Sequence, residues 1–154
     1  MFSKILVVCL GNICRSPTGQ YLLQQQLPEH TIDSAGITAM KHSDGRGWDM
    51  CPKARAVATK HGYQFPTHEA QQLTRELVSQ YDLILVMEQA HRRHIAQRYP
   101  EAQAKTMLFG QWLEAGGKEI PDPYKKSEEV YDHVLTLLVE ATEQWVRKIA
   151  PHRL

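Results

Sequence analysis

Near the start of the chain, Lys4 to Cys9 (KILVVC) forms a continuous apolar run that stops at a cysteine and is followed at once by Leu-Gly-Asn-Ile-Cys-Arg-Ser-Pro. A run without polar alternation is typical of a strand buried on both faces, the central position in a parallel sheet covered by two layers. Ser16 and Pro17 then read as the N-cap and first residue of a helix running towards Leu27. The chain must therefore turn from a buried strand into a helix within residues 9 to 16.

The same alternation continues downstream. Thr31 to Ala35 reads as a second strand, Pro52 opens a helix that Gly62 is placed to end, and Asp82 to Met87 (DLILVM) is another buried strand. A polar helix from Glu88 to Tyr99 is stopped by Pro100, and Lys105 to Phe109 is the fourth strand. Gly110 to Tyr124, with Gly116, Gly117, Pro121 and Pro123, reads as a loop. The last helix starts after Ser127, with Glu128 and Glu129 at the positive end of its dipole. Tyr131, Val134, Leu135, Leu138, Thr142, Trp145 and Ile149 recur at three- and four-residue steps and give it one packed face. The expectation is one α/β domain over residues 1–154: a four-stranded parallel sheet with helices on both faces and right-handed crossovers. In strand order 2-1-3-4, the end of strand one lies at the topological switch point, where such sheets bind ligands. That end is Cys9.

With 154 residues, 42% hydrophobic and 23% charged, the chain has the size and make-up of a soluble globular domain. A net charge of +1 argues against nucleic acid or a membrane surface as partner, so an anion site has to be local. The apolar start is too short for a membrane span and lacks a signal-peptide layout. Three cysteines, an odd number, do not make a disulfide framework and point to a reducing compartment, the cytoplasm.

Residues 9 to 16 read Cys-Leu-Gly-Asn-Ile-Cys-Arg-Ser. Cys9 and Arg15, five residues apart, can close a loop whose amides, from Leu10, Gly11, Asn12, Ile13, Cys14, Arg15 and Ser16, point inward at the oxygens of a phosphate. The Arg15 fork clamps two of those oxygens. Gly11 permits a close backbone approach, and Asn12 tolerates left-handed geometry and can brace the loop through its amide. With the field of the following helix, these groups favour Cys9 as the thiolate, the nucleophilic form. Cys-x5-Arg spacing alone is weak; the preceding strand, the Gly-Asn pair and the helix start give it weight.

With those features together, CLGNICRSP resembles the signature of the low molecular weight protein-tyrosine phosphatases, and the likeness spans essentially the whole chain. Asp33-Ser34-Ala35-Gly36 resembles the family's second-strand turn, and His68-Glu69-Ala70-Gln71-Gln72 its His-x-Ala-Arg-Gln segment. Asp122-Pro123-Tyr124 is similar to its general-acid loop. The resemblance implies a phosphocysteine intermediate on Cys9, Arg15 as clamp, Asp122 as proton donor, and neither metal nor other cofactor. It further implies that the Ser16 hydroxyl stabilises the Cys9 sulfur, and that Ile13, Met40 and Tyr124 line the pocket above the loop. Core filling is a nearly equal reading for Met40. The segment from Lys41 to Pro52 is longer than usual in the family.

Cys14 could trap an oxidised Cys9 as a reversible disulfide, the alternative being small-residue packing; Cys51 reads as structural or merely exposed. His68 reads as a brace behind the loop, or a plain core histidine. His91 and His94, with Arg92, Arg93 and Arg98, read as a solvated basic face, because no metal-ligand spacing accompanies them. A thioredoxin-coupled arsenate reductase on this fold would need two more cysteines in the later half, which the chain lacks. A protein-arginine phosphatase is closer, but Ile13 stands where that branch carries threonine. A non-catalytic phosphotyrosine-binding module would be expected to lose Cys9 or Asp122. Among bacterial relatives, VCLGNICRSPTGQYLL and EIPDPYKKS most resemble phosphatases paired with tyrosine autokinases of capsule and exopolysaccharide production, which implies such an autokinase as the phosphotyrosine protein acted on.

Overall fold

A computed structural model describes residues 2–114 and 118–153, without the side chain of residue 153. Gly116 and Gly117, read above as part of a loop, lie outside the described residues. Four strands, β1 (Lys4–Cys9), β2 (Thr31–Gly36), β3 (Leu83–Val86) and β4 (Thr106–Leu108), form one parallel sheet in the order β2-β1-β3-β4. This is the expected order, and it puts the end of β1 at the switch point, with Cys9 in register with Gly36 of β2.

The absence of polar alternation in β1 has its cause in the two cores. Ile5, Val7 and Cys9 face one core, with Leu22 and Leu23 of α1 (Arg15–Gln26) and with α5 (Glu128–Ile149). Leu6 and Val8 face the other, with Val78 of α3 (Arg75–Val78) and Ile95 of α4 (Gln89–Arg98). Ile84 and Val86 of β3 share that second core, while Leu83 and Leu85 face the first. Each fully buried aliphatic side chain here contributes roughly 1.5–3 kcal/mol. Between β2 and α3 lies α2 (Pro52–Lys60), ended by a left-handed Gly62 (φ 90°). The apolar face expected of α5 is buried from Tyr131 to Trp145, and Trp145 Nε1 donates to Phe109 O at 2.8 Å. No helix among the described residues is long and apolar enough to cross a membrane.

Three details differ from the sequence reading. First, α1 begins at Arg15, with Cys14 at its N-cap position, so Ser16 is not the cap and Pro17 is the third helical residue. Pro17 is still tolerated because the first four amides of a helix have no partner within it; the Ser16 hydroxyl is engaged elsewhere, as described below. Second, the short helix α3, capped by the Thr74 hydroxyl accepting from Leu77 N, was not anticipated, nor was the 3-10 turn over Pro100–Lys105. Third, His91 is not on a solvated face: it is only 5% exposed, whereas Arg93 and Arg98 are exposed.

Gly36 links the sheet to the loop after β1. A Cβ there would sit 2.9 Å from Leu10 O, 3.0 Å from Gly11 C and 3.1 Å from Asn12 Cβ. Gly36→Ala should therefore push directly on the loop, costing about 1–3 kcal/mol of stability and weakening inhibition by inorganic phosphate several-fold. Thermal unfolding and phosphate competition measure the two effects; wild-type values for both would show that the loop does not depend on this contact.

Candidate active site

The loop from Cys9 to Ser16 is shaped by where its carbonyls go. Cys9 O accepts from Ile37 N at 3.0 Å, Leu10 O from Thr38 N at 2.8 Å, and Gly11 O from Met40 N at 3.0 Å. Asn12 O accepts from His68 Nε2 at 2.8 Å, Ile13 O from Cys51 N at 2.8 Å, and Cys14 O from the Thr18 hydroxyl at 2.8 Å. Six consecutive carbonyls are thus bonded to the surrounding scaffold. A trans peptide places its N–H opposite its C=O, so the amides of residues 10 to 15 turn to the concave side of the loop. Such an arrangement is a nest for an anion.

Asn12 is the keystone of the loop and adopts left-handed geometry, with φ 61°. Its Nδ2 donates to Ser16 Oγ at 2.7 Å and Ser34 Oγ at 2.9 Å, and its Oδ1 accepts from Gln71 N at 2.9 Å. All the hydrogen-bonding capacity of its side-chain nitrogen is used. Because Ser16 Oγ accepts from Asn12, its own proton is free for Cys9 Sγ, 2.9 Å away, and Ser16 N donates to the same sulfur at 3.4 Å. Two donors therefore face the Cys9 sulfur. His68 must carry its proton on Nε2 to donate to Asn12 O, leaving Nδ1 to accept from the Tyr21 hydroxyl at 3.1 Å. Burial holds His68 below the usual histidine range, which keeps this neutral arrangement.

Arg15 is 1% exposed. Burying a guanidinium needs a compensating charge and hydrogen bonds. Nη1 donates to Glu88 Oε2 at 2.5 Å and to Ile120 O at 2.8 Å, while Nη2 lies 3.6 Å from Asp122 Oδ2. The other oxygen of Asp122 accepts from Tyr124 N at 3.1 Å, a local turn that orients the carboxylate. Beneath Glu88, His91 Nε2 is 3.7 Å from Glu88 Oε2. Burial first, and then the Arg15 charge, push His91 down to about 4.

These elements enclose a cavity of about 310 Å³. Cys9, Leu10, Gly11, Ile13, Cys14 and Arg15 line it, with Thr38, Met40, Asp122 and Tyr124 completing the walls. Cys9, Arg15 and Asp122 therefore come together in one cavity with Ile13, Met40 and Tyr124. Asn12, Ser16 and His68 do not line it and touch the loop from behind. Glu88, Ile120 and Thr38 escaped the sequence reading. A signal existed for Glu88, a charged residue directly after the buried strand DLILVM and beside the switch point. Cys51 is half-buried, with Sγ 3.2 Å from the Tyr131 hydroxyl.

The low molecular weight phosphotyrosine protein phosphatase family model matches residues 4–153, and the chain belongs to that family. It is 44% identical over 151 residues to the low molecular weight protein-tyrosine-phosphatase Etp of Escherichia coli K12, covering 97% of this chain and 96% of that one. The crystal structure of the tyrosine phosphatase Wzb from Escherichia coli K30 in complex with sulphate superposes with a TM-score of 0.89 at 46% identity, covering 97% of this chain and 100% of that chain. Wzb of Vibrio vulnificus in complex with benzylphosphonate is 51% identical, with a TM-score of 0.88, covering 96% and 99%.

His91 leads to a pH prediction. Its folded-state pKa, about 4, lies below the ordinary 6.5. Between those values the unfolded chain binds a proton that the folded chain refuses, so stability falls as pH drops through that window. His91→Gln should remove this contribution. From pH 7 to 5 the variant should lose about 1–2 kcal/mol less stability than wild type. Urea unfolding at the two pH values measures it, and parallel losses would mean His91 titrates normally.

Proposed function

We propose that the chain hydrolyses phosphotyrosine in proteins, with the phosphoryl group passing through Cys9. The observation that carries this reading is the placing of the Cys9 sulfur in a cavity lined by a loop whose carbonyls are turned away, with Arg15 and Asp122 at its walls. Phosphoryl transfer needs a nucleophile in line with the leaving group, stabilisation of the equatorial oxygens, and a proton for the departing oxygen.

In the first step the Cys9 thiolate attacks phosphorus and the bond to the tyrosine oxygen breaks. The loop amides and Arg15 hold the three equatorial oxygens, and Asp122 gives its proton to the phenolate. In the second step water attacks phosphocysteine, Asp122 takes up the proton, and phosphate leaves. Cys9 departs as a thiolate towards the Ser16 hydroxyl and amide. Glu88 fixes the orientation of the guanidinium, and His68 and Asn12 hold the loop. Tyr124 and Met40 suit the substrate ring, one by stacking and the other through an adaptable thioether. Ile13 makes the cavity wall apolar beside them, which fits an aryl ester better than a guanidino phosphate.

The protein substrate we assign is a bacterial tyrosine autokinase, and the process the production of capsule or exopolysaccharide. That assignment rests on the likeness of VCLGNICRSPTGQYLL and EIPDPYKKS to phosphatases of that pairing.

The proton-donor role has a specific signature. A phenol as basic as tyrosine leaves poorly as its anion, so Asp122→Asn should slow phosphotyrosine cleavage by roughly 10²- to 10⁴-fold. Cleavage of an aryl phosphate bearing nitro groups should fall far less, and inhibition by phosphate should hardly change. Single-turnover kinetics across substituted phenyl phosphates should show a steep dependence on leaving-group basicity in the variant alone. Equal losses for every phenol would assign Asp122 to loop shape only.

A further inference from the structure

The third cysteine is placed to do more than pack. Cys51 N donates to Ile13 O at 2.8 Å, so it bonds the peptide group that carries Cys14. That hydrogen bond holds the backbones of Cys14 and Cys51 side by side, the closeness a disulfide requires. Both thiols also touch one hydroxyl: Tyr131 Oη lies 3.9 Å from Cys14 Sγ and 3.2 Å from Cys51 Sγ. Cys14 belongs to two cavities, the active-site cavity with Cys9 and a smaller one with Tyr131, Ala54 and Val57. Its thiol thus stands between Cys9 on one side and the Tyr131–Cys51 pair on the other.

We propose that Cys51 is a resolving thiol, which moves a disulfide from Cys9–Cys14 to Cys14–Cys51 and returns Cys9 as a free thiolate. This rests on the reading of Cys9 as nucleophile. The oxidant is a peroxide. Hydrogen peroxide transfers an oxygen to the Cys9 thiolate, giving a sulfenic acid and hydroxide. The Cys14 thiol attacks that sulfur, the S–O bond breaks and water leaves. Cys51, having lost its proton to the hydroxide, then attacks the Cys14 sulfur, and the Cys9–Cys14 bond breaks with its electron pair on Cys9. The net change is oxidation of Cys14 and Cys51 and reduction of one peroxide to two waters.

The direction of exchange follows from the surroundings of each sulfur. The favoured leaving thiol is the one whose negative charge is better accommodated. Cys9 faces the Ser16 hydroxyl and amide, whereas burial pushes the Cys14 thiol far above the ordinary thiol range. Cys51 is more accessible than either and stands at the N-terminal end of the nine-residue helix α2. Burial also keeps Tyr131 protonated, so its hydroxyl can donate to the attacking sulfur. The site would then absorb one oxidation without losing its nucleophile.

The test uses the full chain, oxidised with one equivalent of hydrogen peroxide, treated with catalase and left without added thiol. Trypsin places Cys9 and Cys14 in one peptide, Ile5 to Arg15, and Cys51 in another, Gly47 to Lys53. A Cys9–Cys14 bond therefore closes a ring within one peptide, while Cys14–Cys51 joins two, and fragment ions identify the cysteine joined. Wild type should accumulate the joined pair through Cys14 while regaining most of its aryl phosphatase activity. Cys51→Ser, with unoxidised activity near wild type, should stay inactive with the ring closed until dithiothreitol is added. A wild-type map without the Cys14–Cys51 bond, or equal unaided recovery in the variant, overturns the proposal. The functional reading fails separately, if unoxidised Cys9→Ser retains activity.

Discussion

The site depends on the outward commitment of the loop carbonyls. A peptide group can present its amide to a ligand only if its carbonyl is satisfied elsewhere, because an unpaired buried carbonyl is costly. Here five of the six partners come from three separate stretches, Ile37 to Met40 after β2, Cys51 before α2, and His68 in the following segment, and the sixth is the Thr18 hydroxyl of α1. The anion nest is therefore a tertiary product, although the loop is local in sequence. The long segment between β2 and α2 contributes four of its anchors, Ile37 N, Thr38 N, Met40 N and Cys51 N. The backbone of Gly47 packs so closely on Ala70 that a Cβ would fall 1.8 Å from Ala70 O.

Arg15 imposes the second constraint. A guanidinium with almost no solvent contact needs a counter-charge and acceptors, which Glu88 and the Ile120 carbonyl supply. Glu88 lies two residues after β3, so the sheet order that brings β3 beside β1 also brings the counter-charge to Arg15. Asp122 and Ile120 reach the same guanidinium from a stretch remote in sequence, and Ile120 N is tied to Met87 O at 3.0 Å. The counter-charge on Arg15 and the stretch carrying the carboxylate assigned as proton donor are both tied to the continuation of β3. The same geometry leaves His91 buried beneath Glu88 and neutral.

Much of this was legible in the sequence. Buried strands declare themselves by apolar runs, and KILVVC and DLILVM gave β1 and β3 within a residue or two. The loop was legible because its requirements are local: a cysteine, a glycine, a left-handed asparagine and an arginine at fixed spacing. Ser16 was misread as a cap because a serine before a proline satisfies that local rule. Its hydroxyl instead serves Asn12 and Cys9, a preference decided by a fold-level contact. His91 was misplaced for a related reason: it sits among arginines in sequence, yet its side of α4 turns inward onto Glu88. Cys51 carried no local signal, since its relation to Cys14 runs through a backbone bond to Ile13.

In the proposed reaction the phosphoryl group is handed to Cys9 before water receives it. Rapid quenching of the chain with an aryl phosphate in the first turnover, followed by mass spectrometry of the peptide Ile5 to Arg15, tests this directly. Phosphate should appear on the Cys9 sulfur, formed at the rate of the phenol burst and decaying at the rate of phosphate release. Phosphate release at the rate of phenol release, with no phosphorylated peptide at any time, would contradict it.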